Sequence, residues 1–168
     1  LTKVKNYQPA VRPGFVATHG FTPSDKGLLI SAVPQASRSA TGRDILELDL
    51  ETGDFENLTS SPMEWDELPL ALPRSDGIVW VTDRNIEPPR DRQLPRRGDV
   101  WMMSASGRRQ ERLTFFNHPE SKDFLGEALI DDLAWNREGD RLLVHVVSAG
   151  APGSGKVEQA IYLVEFDG

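Results

Sequence analysis

The stretch RDILELDLETGDFENLT, Arg43 to Thr59, is laid out again as GDVWMMSASGRRQERLT, Gly98 to Thr114, and begun a third time as QAIYLVEFDG, Gln159 to Gly168. The two complete copies each read as a strand, a turn containing Gly, and a second strand ending Leu-Thr. Upstream of each copy lies a second pair: HGFTPSDKGLLISA (His19 to Ala32), LALPRSDGIVWVTD (Leu70 to Asp83) and DLAWNREGDRLLVHVVS (Asp132 to Ser148). These also read as strand, tight turn, strand. Ser24-Asp25-Lys26-Gly27, Ser75-Asp76-Gly77 and Glu138-Gly139-Asp140 place Asp or Gly where a hairpin needs positive φ or a side chain that bonds its own backbone. Leu28 and Ile30, Ile78 and Trp80, and Leu142, Val144 and Val146 alternate with the period of a strand that buries one face. No stretch carries a helical period of comparable strength.

Leu1-Thr2 occupies the place of Leu58-Thr59 and Leu113-Thr114, giving repeats of 57 and then 55 residues. The modules fall at about 1–57, 58–112 and 113–168, the third without its closing strand. Four antiparallel strands repeated at this length predict an all-β fold, a β-propeller segment of about three four-stranded blades. Each blade leaves an apolar face that only a neighbour covers. Propellers carry roughly four to eight blades, so further blades from the same chain, or a second copy, are expected to close the ring. Starting at Leu1, the sequence reads as a piece of a longer protein.

The 168 residues suffice for one domain, and 38% hydrophobic with 27% charged residues is a globular composition. A net charge of −7 argues against a general binder of nucleic acid or anionic membrane. No apolar run approaches a membrane span, so no membrane insertion is expected. With no Cys, disulfides, thiolate zinc sites and a cysteine nucleophile are excluded.

The repeat resembles that of TolB-like β-propellers, which also occurs in the propellers of prolyl-oligopeptidase-type peptidases. Phe21-Thr22-Pro23-Ser24-Asp25 with Gly27, Trp135-Asn136-Arg137-Glu138-Gly139, Thr82-Asp83-Arg84, Ile161-Tyr162 and the Leu-Thr pairs carry the resemblance. Leu72-Pro73-Arg74-Ser75-Asp76-Gly77 lacks the aromatic anchor, and the modules are longer than the family's. The extra length sits at Pro34 to Arg43, Asn85 to Gly98 and Ala149 to Gln159, and between modules at Ser60 to Leu68 and Phe115 to Asp131. In an up-and-down sheet these connections emerge at one end, the face where a binding surface belongs. The resemblance implies a non-catalytic module that binds a protein or polymer there, in a bacterial periplasm or secreted. The alternative it implies is the substrate-gating propeller of a prolyl-oligopeptidase-like serine peptidase whose catalytic domain lies outside this chain.

Several constellations bear on chemistry. An Arg-rich island runs through Arg84, Arg90, Arg92, Arg96, Arg97, Arg108, Arg109 and Arg112. Guanidinium forks suit carboxylates and phosphates. Arg90, Arg92, Arg96 and Arg97, in a proline-stiffened loop, are the candidate partner-binding residues, for a protein or peptide rather than nucleic acid, because interleaved aromatics are scarce. Gly150 to Lys156 satisfies Gly-x-x-x-x-Gly-Lys, yet Val157 replaces the magnesium-binding Ser or Thr and a strand follows, so it reads as a Gly-rich hairpin loop and no cofactor is expected. The pairs Asp66-Glu67 and Asp131-Asp132 read as solvated connections before an inner strand. His19, His118 and His145 lack ligand spacing, so no metal is expected. No Gly-x-Ser-x-Gly elbow exists, and no catalytic residue is assigned. Trp80, Trp101 and Trp135 lie in strand patterns and are expected to pack between blades, with Trp65 in a connection.

Overall fold

A computed structural model describes residues 5–7, 11–35, 42–61, 63–87, 97–149 and 156–166. Its order is β1 (Val11–Phe21), β2 (Gly27–Pro34), β3 (Asp44–Asp49), β4 (Phe55–Asn57), β5 (Asp66–Ala71), β6 (Gly77–Thr82), β7 (Asp99–Ser104), β8 (Glu111–Arg112), β9 (Ala128–Trp135), β10 (Arg141–Ala149) and β11 (Val157–Glu165). No helix occurs among the described residues. The strands form three antiparallel sheets in simple up-and-down order, β1-β2-β3-β4, β5-β6-β7-β8 and β9-β10-β11. The chain is therefore an all-β propeller segment of three blades.

The tight turns explain the repetition of sequence. In the first, Thr22 N and Gly27 O close the hairpin at 2.9 Å, while Gly27 N donates to Thr22 Oγ1 at 3.0 Å. The third uses Asn136 in the same way, its Oδ1 accepting from Gly139 N and Arg141 N. Asp25 (φ 57°) and Gly139 (φ 77°) hold the left-handed positions, which Asp tolerates and Gly adopts without a Cβ penalty.

Two apolar seams join the sheets. Between sheets one and two lie Leu29, Ile45, Leu58, Ile78, Trp80, Trp101 and Met103. Between two and three lie Trp65, Val79, Val81, Val100, Phe116, Ile130, Leu142, Val144 and Val146. Trp80 is completely buried, and its ring centroid sits 6.2 Å from that of Trp101. Trp65, from a connection, is also buried in the seam, while Trp135 packs at its margin, 5.2 Å from Phe166.

The strand registers show which residues should be covered. Leu29, Val79 and Leu143 occupy equivalent places in the second strands, and Ile45, Val100 and Ile161 in the third. The members in sheets one and two are fully buried, whereas Leu143 is 47% and Ile161 71% exposed. The third sheet thus shows to solvent the face that the other two bury against a neighbour.

The acidic pairs correct the sequence expectation. Asp66-Glu67 and Asp131-Asp132 lie inside β5 and β9, not in connections ahead of them. Asp66 is completely buried because it faces the seam at the level of Thr82. A register shift in β9 skips Asp131, so that both Asp131 and Asp132 are exposed despite being adjacent. Equivalent shifts interrupt β1 between Thr18 and Gly20, and β5 between Glu67 and Leu70.

Candidate functional site

The connections β2–β3, β4–β5, β6–β7, β8–β9 and β10–β11 leave from one end of the sheets, and the short turns β1–β2, β3–β4, β5–β6, β7–β8 and β9–β10 from the other. The long-connection end is built around two related clasps. In sheet two, Asp99 Oδ1 accepts from Thr114 Oγ1 at 2.7 Å and Phe116 N at 2.8 Å. Its Oδ2 accepts from Arg112 Nη2 at 2.7 Å and from Asn117 N at 3.3 Å. Thr114 Oγ1 in turn accepts from Val100 N at 2.9 Å. One repeat earlier, Asp44 accepts from Asn57 Nδ2 at 2.6 Å and Ser61 N at 3.1 Å, and Thr59 Oγ1 accepts from Ile45 N at 3.1 Å. Thr59 and Thr114 therefore each satisfy the strand amide beside the Asp, and the Asp satisfies the connection that follows.

Backbone bonds tie neighbouring sheets at this same end. Arg43 N donates to Glu64 O at 3.2 Å, and Asp66 N to Arg43 O at 3.0 Å. Gly98 N donates to Ala128 O at 3.0 Å, and Asn117 exchanges bonds with Ala128 on both its amide atoms. The opposite end has an exposed ion pair, Arg74 with Glu138, to join sheets two and three. Such a pair contributes at most about 1 kcal/mol.

The arginines divide between these roles. Arg90, Arg92 and Arg96 lie outside the described residues. Arg97 is mostly buried, paired with Glu127 and donating to Glu87 O at 3.3 Å. Arg84 donates to Gln110 with its guanidinium 5.4 Å from the Trp101 ring. Arg112 serves Asp99 and lies 5.0 Å from the Phe115 ring. Arg43 stacks 3.6 Å from the Phe15 ring and pairs with Glu67. Of the Gly-rich loop, Lys156 alone is described. His19 Nε2 meets Ser31 Oγ at 3.0 Å, and burial lowers the His19 pKa. Ser31 is completely buried and His19 half-buried. His145 Nδ1 lies 3.5 Å from Asp131 Oδ2. Among the described residues, no group of three or more His, Asp and Glu could hold a metal ion. The aligned repeats mark Thr59 with Thr114 and bring Asp44 opposite Asp99 at the same spacing, but the clasp these residues form escaped the sequence reading.

No family model and no curated protein matches the sequence. Solved structures do. A putative TolB from Agrobacterium tumefaciens aligns with a TM-score of 0.61 at 18% identity, covering 96% of this chain and 47% of that one. TolB from Acinetobacter baumannii aligns with a TM-score of 0.49 at 16% identity, over 86% of this chain and 31% of that one. An oligogalacturonate lyase in complex with manganese aligns with a TM-score of 0.47 at 17% identity, over 88% and 42%. The chain spans less than half the length of each of these structures. Its fold is that of a TolB-like β-propeller.

Proposed function

We propose that the chain is a non-catalytic interaction module that binds a protein or peptide partner through its long-connection face, in a bacterial periplasm or secreted. The observation that carries this reading is the asymmetry of the two ends: five connections leave from a margin fixed by buried clasps, which positions loop residues for recognition. Arg90, Arg92 and Arg96 are the proposed contacts, with Arg97 setting the exit of their loop through Glu127. Photo-crosslinkers placed singly at Arg92 and His118 are expected to trap one and the same protein in cells, and those at Asp25 and Asp76 to trap none of it. Equal trapping from the turn end would overturn the reading. Arg90→Glu with Arg92→Glu should weaken the crosslink at His118 by about tenfold, the scale of a lost charged contact.

We further propose that the exposed face of sheet three receives another sheet, from the same chain or a second copy. Leu143 and Ile161 supply the apolar centre, where burial stabilises by roughly 25 cal/mol per Å². The isolated 168-residue chain should self-associate in light scattering as its concentration rises, and Leu143→Lys with Ile161→Lys should hold it monomeric. Unchanged self-association in that variant would reject the assignment.

A further inference from the structure

Ser61 Oγ, in the β4–β5 connection, lies within hydrogen-bonding reach of two buried carboxyls, Asp44 Oδ1 at 3.2 Å and Asp66 Oδ2. A hydroxyl carries one proton. Were both carboxyls ionised, one of these contacts would set lone pair against lone pair in a site without water-like screening.

The neighbours of Asp66 show where a second proton fits. Trp80 Nε1 donates to Asp66 Oδ1 at 3.0 Å, and the hydroxyls of Thr59, Thr82 and Ser61 complete its surroundings. Thr59 Oγ1 already accepts from Ile45 N and Thr82 Oγ1 from Arg84 N, which leaves both hydroxyl protons for Asp66. A neutral carboxyl then accepts from Trp80, Thr59 and Thr82 and donates Oδ2–H to Ser61. Ser61 donates its own O–H to Asp44, and every contact is satisfied.

The surrounding charges leave Asp66 without a counter-ion. From sheet one, Asp44 faces it, while Arg43 is engaged by Glu67 and Phe15, and His19 by Ser31. From sheet two, Asp83 accepts from Trp65 N, Asp99 holds Arg112, and Arg84 is bonded to Gln110. Among the described residues, no Arg or Lys pairs with Asp44 or Asp66. Sheet two to sheet three has Arg112 at the equivalent clasp, where sheet one has the neutral Asn57.

We propose that Asp66 is held as the neutral acid in the folded protein, donating its O–H to Ser61 while Ser61 donates its own to Asp44, and that losing the Asp66 proton as the pH rises releases the seam between sheets one and two. Burial drives the Asp66 carboxyl above its ordinary range, against the opposing pull of its donors. The sign follows from linkage: the folded state holds this proton more tightly than the unfolded chain does. The contribution is therefore complete below the unfolded value near 3.8 and is lost as the pH climbs through the raised folded value.

Asp66→Asn tests this, because an amide presents an acceptor to Trp80 and a donor to Ser61 at all pH values. The unfolding equilibria of both intact proteins are measured from about pH 4 to pH 8, where each unit of raised pKa changes the folding constant tenfold. The expected result is a ratio of folding constants, variant over parent, that grows by tenfold or more across the range. A ratio independent of pH would overturn the proposal. If the variant does not fold, the carboxyl carbon-13 shift of Asp66 in the parent decides. A neutral-acid shift at about pH 5, a unit above the ordinary Asp value, supports it; an ionised shift there refutes it.

Discussion

Asp99→Ala is expected to lower the unfolding free energy by about 3–5 kcal/mol, the loss typical of breaking a buried ion pair from one side. The carboxylate is completely buried and accepts from Thr114, Phe116, Asn117 and Arg112 at once. Removing it leaves the Arg112 side chain, only 10% exposed, without its counter-charge. It also frees the β8–β9 connection, whose first turn rests on those bonds. Asp99→Asn keeps the shape and some acceptors and should cost less. Chemical unfolding at pH 7 measures both, and an Ala variant within 1 kcal/mol of the parent would show that the clasp does not hold the connection.

Gly107→Ala should cost about 3 kcal/mol, much of it from a contact across the first seam. Gly107 has φ 71°, and a Cβ there would lie 2.3 Å from the carbonyl oxygen of Leu58, in the neighbouring sheet. A left-handed Ala alone costs roughly 1–2 kcal/mol. The remainder comes from overpacking against backbone, which cannot rotate away. Gly53→Ala supplies the control: its φ is 82°, but its Cβ would meet only the Tyr7 ring at 3.8 Å. Thermal unfolding of the two variants should separate them by several degrees. Equal losses would mean that Leu58 yields freely, and that the seam there is loose.

The fold was legible because its signals are local and repeated. Turn residues such as Asp25 and Gly139 act within five residues, and Leu142, Val144 and Val146 declare their buried face by alternation. Asp66 was misread because its burial comes from Trp80, 14 residues away, from its cross-strand neighbour Thr82, and from Thr59 of the preceding repeat, contacts that no local pattern records. Arg97 shows the same limit, since its partner Glu127 lies 30 residues on. The bulges in β1, β5 and β9 were equally hidden, because a bulge alters pairing without altering composition.

The backbone bonds that join the sheets at the long-connection end make the segment resemble pages bound along one margin. Fluctuation should part the sheets from the short-turn end, where an exposed Arg74–Glu138 pair bridges sheets two and three, while the bound margin keeps its spacing. The residues where the connections join that margin therefore keep their separations. On the proposed reading, a ligand that spans two of these connections would meet a ruler already set, and its association would carry little of the ordering cost that independently moving anchor points would impose.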